Sequence, residues 1–584
     1  MHTLPFVGRD TELGLLQTAI RELTSGQGRL VFLSGDGGVG KTRLMQEVQQ
    51  HASQQGICCA MGRAYPLETA IPYAPFADAL TPVLAALDAA VVTRLTRGSH
   101  AVLSALAPAL LTRGDSSGNL TPDYTPAAEQ RVRLHASVLA CLKALGDRQP
   151  LLLTLENLQW ADHATLELLH YLGRQIHTLP VMLVASWNET DVPLPDGLRT
   201  ALRSLRSQQS VLELTLPPLA ATAVRDMVAR HFAVSSATCA PLVERIHAVA
   251  GGNPFFVEQM LEELTRRHAL RQQSGEWVGW HAAHVELPPS LHEVMEARLA
   301  RLDGEARQLA ELLSVAGSSA THDLVLACTR EVLGWEEAHS ESTLDRLRHE
   351  RLVLDRVQGR DVSYEFAHPL LQLALRQRIG LVQARRWHAL IARTLESLPT
   401  PDAEAVAAHW LHADPDRDSA RAIPWLIDAG LRAIARRARQ EGAVFLQAAL
   451  DRADRDPHAT TPETLAALVD DLARVYRRLA DYQRAVQLNM RARDLAAARG
   501  DTRGRAMAER RIGLSLQGLA RREEALGHFD IACALAADTG DRVLHGRALL
   551  ARSDCRQALG LVEAAKSDVR DALAAAEASG DMLL

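Results

Sequence analysis

The sequence predicts a multidomain protein in which an α/β domain with a parallel sheet is followed by helical modules and a helical solenoid. Three observations lead to this prediction. With 584 residues the chain is too long for one hydrophobic core, since domains usually have about 100–200 residues. Its N-terminal part alternates apolar strand-like runs with helical stretches. Its C-terminal part repeats several residues at an interval of forty, which indicates stacked helical hairpins.

The N-terminal domain, predicted for residues 1–215, contains a phosphate-binding loop. The apolar run Leu30–Ser34 indicates a buried strand, and Arg43–Gln50 has helical spacing. Between them, the pattern G-x-x-x-x-G-K-T would place backbone N–H groups and a helix N-terminus around a triphosphate. A glycine-rich turn can match this pattern by chance, but the flanking strand and helix favour a nucleotide site. The predicted nucleotide-binding residues of the loop are Gly35, Gly37, Gly38, Val39, Gly40, Lys41, Thr42 and Arg43.

The residues at the C-terminal end of this loop have distinct predicted roles. Lys41 would reach the β- and γ-phosphates of ATP, and the Thr42 hydroxyl would ligate Mg²⁺. Arg43 lies one residue past the loop on the helix and is expected to tolerate substitution far better than Lys41. The predicted cofactors are therefore ATP or ADP with Mg²⁺.

Two later strands are expected to place polar residues beside the loop. Leu151–Leu155 resembles a Walker B strand and ends at Glu156, which would hold Mg²⁺ together with Thr42. A plain core strand is the alternative for this run. Asn157 takes the place of the carboxylate that polarises the attacking water, and an amide cannot accept that proton. The third strand, Val181–Ala185, leads to Asn188, which could sense the γ-phosphate by a hydrogen bond. The catalytic candidates are Glu156, Asn157 and Asn188.

Two helical blocks follow the α/β domain. The first block, residues 216–285, is helical and polar with a break at Gly251–Pro254. The second block, residues 286–380, is also helical, and its first helical stretch starts at Leu287–Ser290. Strand-like runs at 352–357 and 362–366 surround a turn, which predicts a winged-helix module. This fold binds DNA in some proteins and serves as a packing domain in others, so the fold alone does not decide its role.

The charge pattern of the winged-helix block argues against DNA recognition by this chain. Basic and acidic residues interleave there, which is typical of a solvated, self-paired surface. We therefore expect no specific DNA binding by this chain alone. The residues concerned are Arg346, Arg348, Arg351, Arg356 and Arg360, with Glu341, Asp345, Glu350, Asp355 and Asp361.

Residues 381–584 are predicted to form a tetratricopeptide-like solenoid. Gly-Asp pairs recur at 500, 540 and 580, and the intervening leucine and alanine positions keep the same interval. The period exceeds the roughly 34 residues of a standard tetratricopeptide repeat, so slightly longer helices are expected. The chain ends where the next repeat would start, and we expect the natural protein to continue.

Composition excludes several classes of protein. A net charge of −6 argues against a general binder of nucleic acid or of a membrane surface. The seven cysteines are scattered without C-x-x-C spacing, which favours reduced thiols over disulfides or zinc. No apolar run approaches the roughly 18 residues of a membrane span, and the N-terminus does not resemble a signal peptide. We expect a cytoplasmic protein that does not associate with membranes.

Five segments in one order carry a family resemblance. They are FVGRD at 6–10, the phosphate loop, LLLTLENLQWAD at 151–162, GGNPFF at 251–256 and FAHPLL at 366–371. The chain resembles the signal-transduction ATPases with numerous domains (STAND), a branch of the AAA+-related P-loop fold. Within this class it is most similar to large bacterial LuxR-type ATP-binding regulators, whose P-loop module precedes tetratricopeptide repeats. The resemblance covers essentially the whole chain.

The resemblance implies further nucleotide contacts. Val7, Gly8 and Arg9 match the box whose backbone lies against the adenine. Pro254 matches a proline of the lid domain, here residues 216–285, that packs on the adenine; it could also simply end a helix. His368 matches a winged-helix histidine that reaches the β-phosphate of ADP and locks the resting state, although a lone histidine is more often structural.

The chain departs from the family pattern at positions that promote hydrolysis. Family members commonly have two aspartates where this chain has Glu156-Asn157, and often an arginine where it has Asn188. Loss of a general base or a charge stabiliser typically lowers the rate by ~10²–10⁴. We therefore expect a weak ATPase at most.

These features predict an ATP/ADP-binding signalling switch, a regulator of transcription whose output domain is absent from this chain. ADP would hold it closed, and a protein or small-molecule inducer on the solenoid, with exchange to ATP, would open it for self-assembly. One alternative is an AAA+-like ATPase that does mechanical or loading work. The other is a nucleotide-locked scaffold that never hydrolyses ATP.

Overall fold

The structure, a computed structural model, describes residues 4–88, 127–189, 194–273, 276–280, 299, 301–317, 319–350, 352–358, 361–367, 369–399 and 401–579. The chain divides into two compact units, Met1–Pro399 and Thr400–Leu584. Two predicted features lie outside the described residues: a Gly-, Ser-, Thr- and Pro-rich loop at 114–126, and the start of the second helical block at 287–290. The predicted domain boundaries at 215, 285 and 380 stay predictions.

A five-stranded parallel sheet forms the centre of the first part of the chain, which confirms the predicted fold class. Its order is β2-β3-β4-β1-β5, so β4 lies between the strand of the phosphate loop and the predicted Walker B strand. The strands are β1 (Arg29–Ser34), β2 (Cys58–Arg63), β3 (Leu151–Glu156), β4 (Val181–Ser186) and β5 (Val211–Thr215). Every residue of β3 and β4 is buried, as expected for central parallel strands covered on both faces.

The sequence pattern does not identify β2 and β5. Strand β2 reads Cys58-Cys-Ala-Met-Gly62 and lacks the β-branched and aromatic residues that favour strands. A Cβ on Gly62 would lie 1.8 Å from the carbonyl oxygen of Pro75, so the close approach of the next helix requires glycine there. Helices of this region are α1 (Asp10–Thr24), α2 (Lys41–Gln54), α3 (Ala74–Ala85), α4 (Ala127–Arg148), α5 (His163–Gln175) and α6 (Asp196–Leu205).

Three helices and a hairpin follow the sheet and enclose their own apolar core. Phe232, Ile246, Met260 and Trp280 are among its buried side chains. The helices are α7 (Ala221–Phe232), α8 (Ser236–Ala250) and α9 (Pro254–Arg266), and the hairpin strands are β6 (Arg271–Gln273) and β7 (Glu276–Val278). The sequence pattern indicates the helices but not the hairpin, whose strands have only three residues each.

The predicted winged-helix block contains a three-stranded antiparallel sheet of order β8-β10-β9. Its strands are β8 (Ser319–Thr321), β9 (Val353–Gln358) and β10 (Asp361–Phe366), and its helices are α10 (Gly304–Ala316), α11 (His322–Cys328), α12 (Glu337–His349) and α13 (Pro369–Arg378). Helix α14 (Leu381–Glu396), which the sequence prediction assigns to the solenoid, places Trp387 and Ile391 in the core of this block. We refer to residues 299–396 as the winged-helix block from here on.

Arginines of the winged-helix block pair with nearby carboxylates. Arg346 contacts Asp303 and Glu305, and Arg348 contacts Asp345 and Asp355 at 3.0 and 3.2 Å. Arg351 and Arg360 lie outside the described residues. This pairing agrees with a solvated surface, and the absence of specific DNA binding stays a prediction.

The second unit consists of helical hairpins in a repeat-like arrangement, which confirms the predicted solenoid architecture. Helix starts at 462, 502 and 542, and at 482, 522 and 562, are forty residues apart. The described helices are α15 (Ala403–His412), α16 (Ser419–Ala435), α17 (Arg439–Arg455), α18 (Pro462–Arg478), α19 (Tyr482–Ala498), α20 (Thr502–Gly518), α21 (Arg522–Asp538), α22 (Arg542–Ala558) and α23 (Val562–Ser579).

The Gly-Asp pairs form the turns between hairpins. Gly500 and Gly540 have φ of +67° and +69°, the left-handed conformation that glycine adopts after a helix end. Asp501 and Asp541 then cap the next helix, since their carboxylates accept the backbone N–H groups of Gly504 and Leu544. Gly580-Asp581 lies outside the described residues. In the described part of the chain, no helix is long and apolar enough to cross a membrane.

Candidate functional site

A cavity of about 440 Å³ lies at the carboxyl ends of β1, β3 and β4. This is the edge where a parallel sheet binds ligands, because the loops that follow neighbouring strands meet there. The predicted residues that line it are Val7, Arg9, Gly37, Gly38, Val39, Gly40, Lys41, Thr42, Arg43, Glu156, Asn157, Asn188 and Pro254. Gly8 and Gly35 flank it without lining it, and His368 lies outside the described residues.

The phosphate loop has the conformation expected for anion binding. Gly38 and Gly40 have φ of +81° and +104°, and Gly40 is the residue before α2. These conformations turn backbone N–H groups inward, where the helix dipole also favours an anion. The Lys41 ammonium is buried and donates to the carbonyl oxygens of Gly35 and Asp36, both at 2.8 Å. The loop therefore holds its cation close to the peptide groups that would surround a phosphate.

The N-terminus of α9 contacts this loop directly. Asn253 donates from Nδ2 to the carbonyl oxygen of Gly37 at 2.9 Å, and its Oδ1 caps α9 by accepting the N–H groups of Phe255 and Phe256. The next residue, Pro254, lies 3.8 Å from the position of a Cβ on Gly40. Asn253 thus joins the lid helix to the loop. The sequence offers only an Asn-Pro helix start as a signal for this role.

Arg9 has a role that the resemblance did not indicate. Its buried side chain donates to the carbonyl oxygens of Val39 at 3.1 Å and Pro217 at 2.7 Å. It therefore links the phosphate loop to the segment that leads into α7. Gly8, with φ of +67°, lies so close to α7 that a Cβ would be 2.6 Å from the Cβ of Ala223.

Thr42 and Glu156 offer the kinds of oxygen ligand that an Mg²⁺ site needs. The Thr42 hydroxyl lies 3.3 Å from Oε2 of Glu156. The other carboxylate oxygen, Oε1, is buried and has no hydrogen-bond partner, although buried polar atoms are normally paired. A hydroxyl, a carboxylate and phosphate oxygens are the ligands that Mg²⁺ prefers. The residues present therefore fit the ion, which would neutralise phosphate charge when bound.

Arg63 is a site residue that the sequence did not reveal. It ends β2, pairs through Nε with Oε2 of Glu156 at 2.9 Å, and lies 3.9 Å from the carboxylate of Glu365 on β10. Burial by itself would lower the pKa of Arg63, but the carboxylate of Glu156, with smaller contributions from its other neighbours, raises that pKa overall. Arg356 on β9 also pairs with Glu365, at 2.7 Å. A chain of alternating charges therefore connects the predicted metal ligand to the winged-helix block.

Two asparagines, Asn157 and Asn188, stand at the positions where the sequence analysis predicts groups that promote hydrolysis. Asn157 follows β3 with φ of +60°, a left-handed conformation in which asparagine is one of the better tolerated residues. The backbone N–H of Asn188 donates to Oε1 of Gln159 at 3.1 Å, which connects the ends of β3 and β4. Both residues line the cavity, but neither offers a carboxylate or a cation to the reaction.

Replacement of Thr42 tests the metal site. Thr42→Val should weaken Mg²⁺-dependent ATP binding by roughly tenfold, because an isosteric methyl group cannot ligate the ion. Thr42→Ser keeps the hydroxyl and should bind as the unmodified protein does. Calorimetric titration of ATP with and without Mg²⁺ measures the difference. Equal Mg²⁺ dependence in the valine and serine variants would contradict the assignment.

Comparison with known proteins agrees with this geometry. The family model described as "AAA ATPase domain" matches residues 5–184. An uncharacterized protein of Rhizobium meliloti (strain 1021) is 26% identical over 486 residues. That alignment covers 80% of this chain but 44% of the relative, so the chain spans less than half the length of this curated protein.

Solved structures show more distant similarity. A STAND protein with a tetratricopeptide repeat sensor from Pyrococcus horikoshii covers 100% of this chain and 78% of its own, at 13% identity and a TM-score of 0.44. RuvB of Thermotoga maritima covers 65% of this chain and 100% of its own, at 14% identity and a TM-score of 0.27. Such low identities and TM-scores do not define a function.

Proposed function

We propose that this chain, which has an AAA ATPase domain and a helical repeat region, is a nucleotide-controlled signalling switch of the STAND class. An AAA ATPase domain binds nucleotide. In the proposed resting form, bound ADP holds the lid and the winged-helix block against the phosphate loop. Exchange for ATP, together with a signal read by the solenoid, opens this form and permits self-assembly. ATP must favour the open form over the closed one, since a ligand with equal affinity for both shifts nothing.

The observation that carries the proposal is the shared lining of the cavity. Besides the phosphate loop and the lid, it is lined by Leu354, Glu365, Phe366 and Arg376 of the winged-helix block. A nucleotide in this cavity would therefore touch three parts of the chain at once. By mass action, such a ligand stabilises the closed arrangement in which the phosphate loop, the lid and the winged-helix block all surround it.

Slow hydrolysis belongs to the proposal because of Asn157 and Asn188. A mechanical or loading ATPase needs an efficient base and a group that stabilises developing charge, and neither residue supplies one. A scaffold that stays locked on its nucleotide remains the second candidate, favoured by the same two asparagines. Nucleotide exchange separates them, since a switch must release ADP and a locked scaffold must not.

The decisive experiment measures what the purified protein carries and how fast it is exchanged. Mass spectrometry and base analysis of the released ligand should identify ADP at near-stoichiometric amounts. Turnover and exchange are then compared with and without candidate inducers. Protein that carries no adenine nucleotide, and binds none when it is added, would refute the switch.

The Asn253 contact offers a specific test of the closed form. Asn253→Ser keeps a helix cap but is too short to reach the carbonyl oxygen of Gly37, so it should speed ADP release about 2- to 10-fold, the effect of losing one hydrogen bond. A stopped-flow chase of labelled ADP measures the rate.

A matched variant separates closure from lid stability. The Ser235 hydroxyl caps α8 by accepting the N–H of Thr238 at 3.1 Å, away from the loop. Ser235→Ala should destabilise the lid by about 1 kcal/mol but leave ADP release unchanged. Faster release in this variant too would mean that lid stability, not the Asn253 contact, sets the rate.

The remaining features of the proposal concern partners. The inducer, a protein or a small molecule, is proposed to bind the solenoid, and transcription regulation would be exerted by an output domain outside this chain. We propose action in the cytoplasm, without membrane association. Size measurements in ATP and in ADP test self-assembly.

The absence of specific DNA binding has its own test. Any binding should be purely electrostatic and vanish at modest salt. Fluorescence anisotropy on random duplexes at physiological salt measures it. Tight, sequence-selective binding would make the winged-helix block itself the output domain.

A further inference from the structure

Arg376 is an unusual cation on the winged-helix side of the cavity. Helix α13 presents it to the cavity that also contains Lys41 and Gly37–Gly40. Four of the five arginines that line the cavity pair with a carboxylate: Arg9 with Glu12 at 3.4 Å, Arg43 with Glu47 at 2.8 Å, Arg63 with Glu156 at 2.9 Å and Arg356 with Glu365 at 2.7 Å. Among the described residues, no carboxylate pairs with Arg376.

The stem of Arg376 is nevertheless fixed in place. Its Nε donates to the carbonyl oxygen of Ser314 at 2.6 Å, and Gln372, one turn earlier, donates to the same oxygen at 3.1 Å and to that of Gly317 at 2.6 Å. Ser314 lies in the last turn of α10, where unpaired carbonyl groups give a helix its partial negative charge. One edge of the guanidinium is thus anchored, while Nη1 and Nη2 make no hydrogen bond to a described residue.

Arg376 is partly buried, and partial burial without a counter-ion is unfavourable for a guanidinium. It lowers the pKa of Arg376 to about 10, with no carboxylate to offset it. A buried charge normally has a partner, and the partner of an arginine is most often a carboxylate or a phosphate. The planar fork of two free nitrogens suits two oxygens of one phosphate group. In this cavity, which also contains the phosphate loop, an anionic ligand would supply that partner.

We propose that Arg376 binds the phosphate chain of the nucleotide, so that α13 of the winged-helix block contacts the ligand directly. The inference rests on the proposed function and deepens it, because it names the chemistry by which this block would recognise bound nucleotide. The base and ribose of a nucleoside would not engage Arg376. The phosphates of ADP would engage both Lys41 from the sheet side and Arg376 from the opposite side.

The test compares ligands that differ only in phosphate. ADP and adenosine are titrated by calorimetry into nucleotide-free protein. Where adenosine binds too weakly for direct titration, its affinity is measured by competition with ADP. Arg376→Met should weaken ADP binding roughly 10- to 100-fold, the effect of losing charge-assisted hydrogen bonds, and change adenosine binding less than about threefold. Arg378→Met, an exposed position on the same helix, should change neither.

Each outcome decides between phosphate contact and mere structural support. If Arg376→Met weakens ADP and adenosine equally, Arg376 only supports the fold and the proposal is overturned. Thermal unfolding without ligand shows whether that variant folds. If it does not, Arg376→Lys is tested instead, and its ratio of ADP to adenosine affinity should fall several-fold. An unchanged ratio overturns the proposal. If the unmodified protein binds ADP and Lys41→Ala abolishes this binding, while Arg376→Met binds ADP normally, only the role of Arg376 fails. If the unmodified protein binds no ADP, the proposed function fails as well.

Discussion

Lys41→Ala should abolish stable nucleotide binding. The Lys41 ammonium is the cation at the start of α2, enclosed by the loop whose N–H groups would surround the phosphates. Each charge-assisted hydrogen bond contributes about 1.5–3 kcal/mol, and a lysine that reaches two phosphates makes at least two of them. ATP and ADP affinity should therefore fall by at least about 100-fold, which titration and the nucleotide content of purified protein both measure.

Two controls make this result interpretable. Lys143→Ala removes the same side chain from an exposed position on α4 and should bind nucleotide normally. Arg43→Ala removes a cation that is already paired with Glu47 at 2.8 Å, and its effect should be far smaller than that of Lys41→Ala. Normal nucleotide occupancy in Lys41→Ala would mean that the ligand site lies elsewhere.

Asn157→Asp should raise the intrinsic rate of ATP hydrolysis by about 10²-fold or more, while ATP affinity stays nearly unchanged. The substitution restores a group that can accept a proton from the attacking water, a contribution of typically 10²–10⁴ in rate. It acts on the reaction and not on ground-state binding. Asp also tolerates the left-handed backbone at this position, where φ is +60°. Phosphate release under single-turnover conditions measures the rate.

The double variant Lys41→Ala with Asn157→Asp is the matched control. It should be inactive, so any phosphate that it releases comes from a contaminating ATPase. Robust turnover in the unmodified chain would show that another carboxylate acts as the base. Glu189, which follows Asn188 at the end of β4, would be the first to replace, and Asp191, outside the described residues, the second.

The predictable parts of this fold are those with local signals. Strands β1, β3 and β4 are continuous apolar runs, and the solenoid repeats its turn residues at a fixed interval, so both can be recognised from the sequence alone. Strand β2 has a composition of small and sulfur-containing residues that favours no particular structure. Its place in the sheet is decided by pairing with β3, a tertiary contact that a local pattern cannot contain.

The same distinction applies to the site. The phosphate loop is contiguous in sequence, so its residues are predicted together, and the structure places most of them around one cavity. Arg63 and Arg376 belong to no such local motif, and the segment GGNPFF, which contains Asn253, does not by itself indicate that Asn253 contacts the loop. They reach the cavity because the sheet, the lid and the winged-helix block meet there, and each is an ordinary polar residue in its own segment.

The Gly-Asp turns of the solenoid constrain how this region can change in length. Successive side chains of an α-helix are rotated by about 100°, so insertion of one residue inside a helix would turn the apolar residues after it away from the neighbouring helix. Insertion of a whole forty-residue unit, from one Gly-Asp pair to the next, leaves each interface in phase. The solenoid can therefore lengthen or shorten only in steps of one complete helical hairpin, which is one forty-residue repeat.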